Sequence, residues 1–146
     1  MMSEVKAFLD ASRLFRQQTN CYGPVLIVED DYCIARMLSH MVKLQGLESK
    51  IVATVDDAIT FIQENCDDIR CVILDLHLQG SDGEEVIHFI ETQQSRVPYV
   101  VHTCDWDAAK EITKKYPRAA VYRKGDSITK LVEALGFNDS ADCHAS

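Results

Sequence analysis

The sequence predicts a three-layer α/β fold, a doubly wound five-stranded parallel sheet with helices on both faces. Two observations carry that expectation. Residues 25–136 alternate short β-rich runs with amphipathic segments five times, and strands joined through helices lie parallel. The first and third runs, VLIVE at Val25–Glu29 and CVILD at Cys71–Asp75, are apolar almost throughout, the pattern of strands covered on both sides. Each crossover should be right-handed.

Composition agrees. The chain has 146 residues, 47% of them hydrophobic and 26% charged, an ordinary globular balance. That length suits one domain burying about two-thirds of its unfolded surface, with no room for a second sizeable one. Lys+Arg 15 against Asp+Glu 23 gives a net charge of −8, which argues against a binder of nucleic-acid phosphates. No signal-like apolar run follows the first Met and the longest apolar runs are strand-sized, so a cytoplasmic protein without a membrane segment is expected. Cysteines stand at 21, 33, 66, 71, 104 and 143, never in C-x-x-C spacing. Reduced thiols are expected, with Cys33, Cys66 and Cys71 packing in the interior.

In chain order, Val25–Glu29 is the first strand. Asp31–Gln45 follows as a helix with Ile34, Met37, Leu38, Met41 and Val42 on one face, stopped by Gly46. Ile51–Ala53 is the second strand, and Thr54 or Asp56 caps a helix that turns Ala58, Ile59 and Ile62 inward. Cys71–Asp75 is the third strand. A helix begins after Ser81-Asp82-Gly83, with Glu84 and Glu85 in its first turn and Val86, Ile87 and Ile90 as its apolar stripe. Pro98–Thr103 is the fourth strand; Asp105 caps a helix to Tyr116, ended by Pro117. Ala119–Arg123 is the fifth strand and Asp126–Leu135 the last helix, stopped by Gly136. Two flanks lie outside: an extension over 1–23, where Val5, Phe8, Leu9 and Phe15 fit one side of a helix or else a frayed leader, and a small, polar tail over 137–146, expected to be disordered.

In such sheets ligands bind at the carboxyl ends of the strands, where strand order reverses. Strand one ends in Glu29-Asp30-Asp31 and strand three in Asp75. Two unit charges about 4 Å apart repel by about 4 kcal/mol at an effective dielectric of 20, so a fold gains nothing by gathering such acids for their own sake. A hard divalent cation relieves them, and Mg²⁺ suits one or two carboxylates with waters and phosphate oxygens. The plainer alternative is that Asp30 and Asp31 cap a helix while Asp75 opens a loop. Thr103 and Lys124 close strands four and five. A hydroxyl and an ammonium beside a metal-bound carboxylate make a site for a phosphoryl group, and the carboxylate can itself be the nucleophile, giving an aspartyl phosphate.

These residues resemble the receiver domain of two-component response regulators, the CheY-like family. The resemblance rests on VLIVEDD (Val25–Asp31), VILDLHLQGSDG (Val72–Gly83), VPYVVHTCD (Val97–Asp105) and VYRKGDS (Val121–Ser127), and covers about residues 24–136. It implies a flavodoxin-like strand order 2-1-3-4-5, Asp75 as phosphoacceptor, Asp30 as a direct Mg²⁺ ligand, Glu29 as a ligand acting largely through water, and the main-chain carbonyl of His77 as a further ligand. Thr103 corresponds to the switch hydroxyl and Lys124 to the family's lysine; Asp31 falls one place past the acidic pair, at the start of the helix. The chain departs from the family where Gly125 follows the lysine in place of Pro, where Val121 takes the aromatic switch position with Tyr122 next to it, where Cys104 follows Thr103, and where Gln79 replaces a common Pro. His77 and Asp105 occupy positions that influence hydrolysis of the phosphoryl group in that family.

The resemblance implies phosphorylation by a histidine kinase or phosphotransfer protein; 146 residues leave no room for an output segment, so a stand-alone receiver is expected, its output a protein target, a phosphorelay partner or a homodimer rather than nucleic acid or a membrane. No enzymatic activity is expected beyond its own phosphorylation and dephosphorylation. A receiver-like adaptor working without phosphorylation is the competing expectation. A flavin site would need a Gly/Ser/Thr-rich loop where this chain has acids, and an aspartate-nucleophile phosphatase would want an acid at position 77.

Overall fold

The computed structural model describes residues 23–94, 96–125 and 130–131. Strand β1 (Val25–Val28) is followed by α1 (Tyr32–Leu44), β2 (Ser49–Val52), α2 (Val55–Asn65), β3 (Cys71–Leu74), the short β4 (His77–Leu78) and β5 (Ser81–Asp82), α3 (Glu84–Gln93), β6 (Tyr99–Thr103), α4 (Trp106–Lys115) and β7 (Ala120–Arg123). Five strands form one parallel sheet in the order β2-β1-β3-β6-β7. Setting aside the short β4 and β5, that is the expected order 2-1-3-4-5. The N-terminal extension to residue 22, the tail over 137–146 and most of the last helix lie outside the described residues; Lys130 and Leu131 are helical.

Alternation along the strands splits the interior in two. Leu26, Val28, Val72, Leu74 and Val101 face α2, α3 and α4, meeting Ala58, Ile62, Val86, Ile87, Ile90 and Ile112. Val25, Ile27, Cys71, Ile73 and Val100 face α1, meeting Ala35, Leu38 and Val42, with Leu131 on the same side. All four residues of β1 and of β3 are buried, as their unbroken apolar runs require.

Local signals set the helix ends. The Asp31 carboxylate accepts from the N–H groups of Cys33 (2.9 Å) and Ile34 (3.2 Å) to cap α1. Gly46 ends that helix with φ +81, donating to Lys43 while Leu47 donates to Val42, a Schellman closure. Thr54, not Asp56, caps α2 through the Asp57 N–H at 3.0 Å, and Asp105 caps α4 through the Ala108 N–H at 3.0 Å.

Three expectations change. Met37 is 43% exposed, because the buried stripe of α1 is Ala35, Leu38 and Val42 and Met37 lies about 100° round the helix from Leu38. Cys33 is exposed at the start of α1, whereas Cys71 is buried and Cys66 half-buried. The second strand begins two residues early, at Ser49, and its central Lys50 and Ile51 are exposed because β2 is an edge strand. The antiparallel pair β4–β5 is additional, a hairpin of two residues a side in the loop after β3.

Gly83 closes that loop. Its N–H donates to the Leu76 carbonyl at 2.8 Å, and a Cβ there would lie 2.2 Å from the Asp75 carbonyl oxygen. Main chain, not a pliant side-chain tip, blocks that space. Gly83→Ala should therefore cost about 1–3 kcal/mol, as overpacking does; urea unfolding checks it, and an unchanged midpoint would refute the close approach.

His102 lies on β6 with its side chain buried on the α1 side, as that of Val100 is, and among the described residues neither ring nitrogen has a hydrogen-bond partner. Burial, aided by the Lys124 charge and opposed by Asp75, lowers its pKa from 6.5 to about 4. The unfolded chain then binds the extra proton first, so stability from this group is complete above about 6.5 and is lost as pH falls toward 4. The loss amounts to at most about 3 kcal/mol at 1.36 kcal/mol per pKa unit. Unfolding free energies of wild type and His102→Leu, compared between pH 4 and 7, should converge above the window and diverge in favour of the variant below it.

Candidate functional site

In-register pairing brings the acids together. Val28 of β1 pairs with Val52 and Leu74, so the residues that follow, Glu29 and Asp75, leave the sheet at one level; the ladder continues as the Glu29 N–H donates to Val52 (3.0 Å) and the Asp75 N–H to Val28 (3.0 Å). Asp30 is one residue beyond Glu29 and exposed, while Glu29 and Asp75 are buried. The three offer carboxylate oxygens that all lie within 4.8 Å of one another.

Lys124 arrives from the other side. Thr103 pairs with Arg123, and the Lys124 N–H then donates to the Thr103 carbonyl at 2.9 Å. Its ammonium reaches Asp75 Oδ2 at 2.8 Å and Glu29 Oε1 at 2.7 Å. Burial works against the Lys124 charge, but the bonds to Asp75 and Glu29 outweigh it and hold the amine above its usual pKa. Burial is also the main force on Glu29 and pushes that carboxyl up, the Asp75 charge adding to it while Lys124 pulls the other way.

Main-chain donors complete the pocket. The His77 N–H donates to Asp75 Oδ1 at 3.2 Å and the Asp31 N–H to Glu29 Oε2 at 3.2 Å. Thr103 is fully buried and its hydroxyl oxygen accepts from the Asp105 N–H at 3.1 Å. At the lip, His77 Nε2 and Asp105 Oδ2 are 2.7 Å apart, both exposed enough to meet solvent. The Asp105 carboxyl is held below its usual range by the Ala108 N–H and then by His77. Cys104 is exposed.

A family model for the response regulator receiver domain matches residues 25–133. The chain belongs to the response regulator receiver family. Curated relatives of this receiver include the DNA-binding response regulator MtrA of Mycolicibacterium paratuberculosis, 31% identical over 83 residues that make up 57% of this chain and 36% of that protein. The alignment thus spans about a third of that relative. Among solved structures, a response regulator receiver domain protein from Clostridium thermocellum has 19% identity and TM-score 0.69, covering 84% of this chain and 97% of that one. A CheY-like receiver domain protein from Methanospirillum hungatei has 18% identity and TM-score 0.68, covering 82% and 97%. At such identities these two speak for the fold. Two-component signalling is the family's setting, and phosphorylation and Mg²⁺ binding are typical of it.

Glu29, Asp30, Asp75 and Lys124 thus stand together, Thr103 is tied to them through Lys124, and His77 begins β4 directly over Asp75. An oxygen-only donor set fits a hard ion such as Mg²⁺. Val121 packs on the α2–α4 side, whereas Tyr122 lies on the α1 side, so the aromatic ring of β7 is on the face away from Thr103. Sequence reasoning missed the Gln79 N–H, which donates to Asp30 Oδ2 at 2.8 Å. It also passed over His102, whose signal was a polar residue inside the apolar run YVVHT. Among the described residues no helix is long and apolar enough to cross a membrane.

Removing the Lys124 charge strands two buried carboxylates. Lys124→Met should destabilise the metal-free protein by about 3 kcal/mol, the lower end for breaking a buried pair. Adding Glu29→Gln should recover most of it. Denaturant unfolding in chelator measures both, and a loss indistinguishable from zero would show that the ammonium does not hold the site.

Proposed function

We propose that this receiver takes a phosphoryl group from a histidine kinase or phosphotransfer protein onto Asp75 in a Mg²⁺-dependent reaction, and reports it through a protein–protein surface. The observation that carries this is the single ammonium of Lys124 shared by Asp75 and Glu29 at the carboxyl edge of the sheet.

The chemistry follows from those groups. Lys124 at Asp75 Oδ2 and the His77 N–H at Oδ1 hold the Asp75 carboxylate in one orientation at the sheet edge, where one of its oxygens can attack. That oxygen forms the new O–P bond as the donor's N–P bond breaks, and the departing imidazole keeps the electron pair and takes up a proton. Lys124 turns from carboxylates to the phosphoryl oxygens. The Thr103 hydroxyl accepts from Asp105, so its own proton is available for donation. Held by Glu29, Asp30, Asp75 and the His77 carbonyl, Mg²⁺ would neutralise charge on the transferred oxygens.

Modification adds about −1.5 to −2 charge units at one fixed point. The groups that feel it are Lys124 at the end of β7 and Thr103 at the end of β6, both adjoining α4. The face of α4 carries Lys110, Glu111, Lys114 and Lys115, a mixed surface suited to a protein partner or a second copy. A net charge of −8 supports a protein rather than nucleic acid as the direct partner of this receiver. The exposed His77–Asp105 pair stands at the lip where water approaches the phosphoryl group, which supports a role for it in setting the lifetime of the aspartyl phosphate.

Incubation with acetyl phosphate and Mg²⁺ should add the mass of one phosphoryl group, lost in chelator and in Asp75→Asn. Intact-protein mass spectrometry reads the result. No gain in the wild type would favour an adaptor that works without phosphorylation, and a gain surviving Asp75→Asn would move the acceptor elsewhere.

A further inference from the structure

The hairpin after β3 donates to the acids with its main chain. His77 starts β4 with its N–H on Asp75 Oδ1, and two residues on the Gln79 N–H sits on Asp30 Oδ2 at 2.8 Å, the shorter and better-formed of the two bonds. β4 ends at Leu78 and Gln79 opens the turn that follows it, so the start of the strand and the turn beyond it reach two carboxylates from two separate strands of the sheet. The hairpin is pinned by the pairing of His77 with Asp82 and Leu78 with Ser81, and by the Gly83 N–H on the Leu76 carbonyl.

We propose that the Gln79 main-chain N–H is a positioning group for the Mg²⁺ ligand Asp30. The inference rests on the reading of Glu29, Asp30 and Asp75 as the cation site. Asp30 is the exposed member of the three and, among the described residues, neither Lys124 nor any other cation is paired with its carboxylate. Its side chain would otherwise be free to rotate into solvent. Mg²⁺ demands near-ideal octahedral geometry, so an oxygen already aimed at the site spares the cost of ordering it. A hydrogen bond to an ionised acceptor is about twice as strong as a neutral one, and partners of ligating carboxylates commonly contribute 10- to 100-fold in metal affinity. The donor is the amide itself, so any residue except proline at 79 retains it.

That exception supplies the test. Gly80 takes φ +76 at the second central position of the two-residue turn, as a type II turn requires, and such turns accept proline at the first. Calorimetric titration of the full chain with MgCl₂ should show Gln79→Pro binding at least about tenfold more weakly than wild type. Gln79→Ala, which keeps the N–H, should stay within about twofold of wild type. A mere turn role would move the unfolding midpoint in chelator and not this split between proline and alanine. Unchanged or tighter binding by Gln79→Pro overturns the proposal while leaving the cation site intact. Wild-type protein that binds no Mg²⁺, or Asp30→Asn binding as tightly as wild type, overturns the site itself.

Should Gln79→Pro fail to fold, the wild-type Gln79 amide decides by NMR hydrogen exchange. Protection that persists when MgCl₂ is added supports the proposal. Exchange at the solvent rate, or protection lost on adding the ion, overturns it.

Discussion

Parallel strands in matched register deliver their C-terminal residues to one edge, and here that geometry concentrates negative charge. Glu29 and Asp75 follow paired positions of β1 and β3, are nearly excluded from water, and would repel by several kcal/mol at close range. The ammonium of Lys124 between them makes the arrangement tenable. Because Lys124 follows β7, the outermost strand on that side, charge balance at the centre of the sheet depends on docking at its margin. The ladder bond from the Lys124 N–H to the Thr103 carbonyl fixes that margin in register. Fold completion and site assembly are thus one event.

The parts of this structure legible in the sequence were those set by nearest neighbours and simple periods. Asp31, Thr54 and Asp105 cap helices because their side chains need only reach an N–H two or three residues ahead. The apolar runs of β1 and β3 read as central strands because both faces are covered. Strand ends at fixed places in a parallel sheet then bring Glu29, Asp30, Asp75 and Lys124 within reach of each other. What escaped reading was long-range or too short to carry a period. The β4–β5 hairpin has two residues a side, and the Gln79–Asp30 bond spans 49 positions and uses an amide that every residue but proline possesses. Met37 was misplaced because an apolar residue at a rim position looks the same in sequence as one in the buried stripe.

The two sides of the sheet are also chemically unlike at this edge. Toward α2, α3 and α4 the strand ends present Thr103 and Val121; toward α1 they present His102 and Tyr122, paired across β6 and β7. A valine at 121 has no ring to swing, so whatever Thr103 does cannot be relayed by an aromatic side chain at that place. The polar pair sits instead behind the strand, where the buried imidazole of His102 has no hydrogen-bond partner among the described residues.

Main-chain bonds supply the remaining connection between pocket and helix. The Asp105 N–H is held by the Thr103 hydroxyl oxygen, the Asp105 carboxylate caps α4 through Ala108, and its other oxygen meets His77 above Asp75. One residue therefore ties the Thr103 hydroxyl, the helix start and the loop after β3. A displacement of the Thr103 oxygen away from this amide takes from the N–H of a helix-capping residue its partner unless Asp105 moves with it. If Asp105 moves, it carries its cap with it, and the first turn of α4 must follow. Coupling by this route needs no aromatic rotor, only a hydroxyl that cannot change position without taking its donor along.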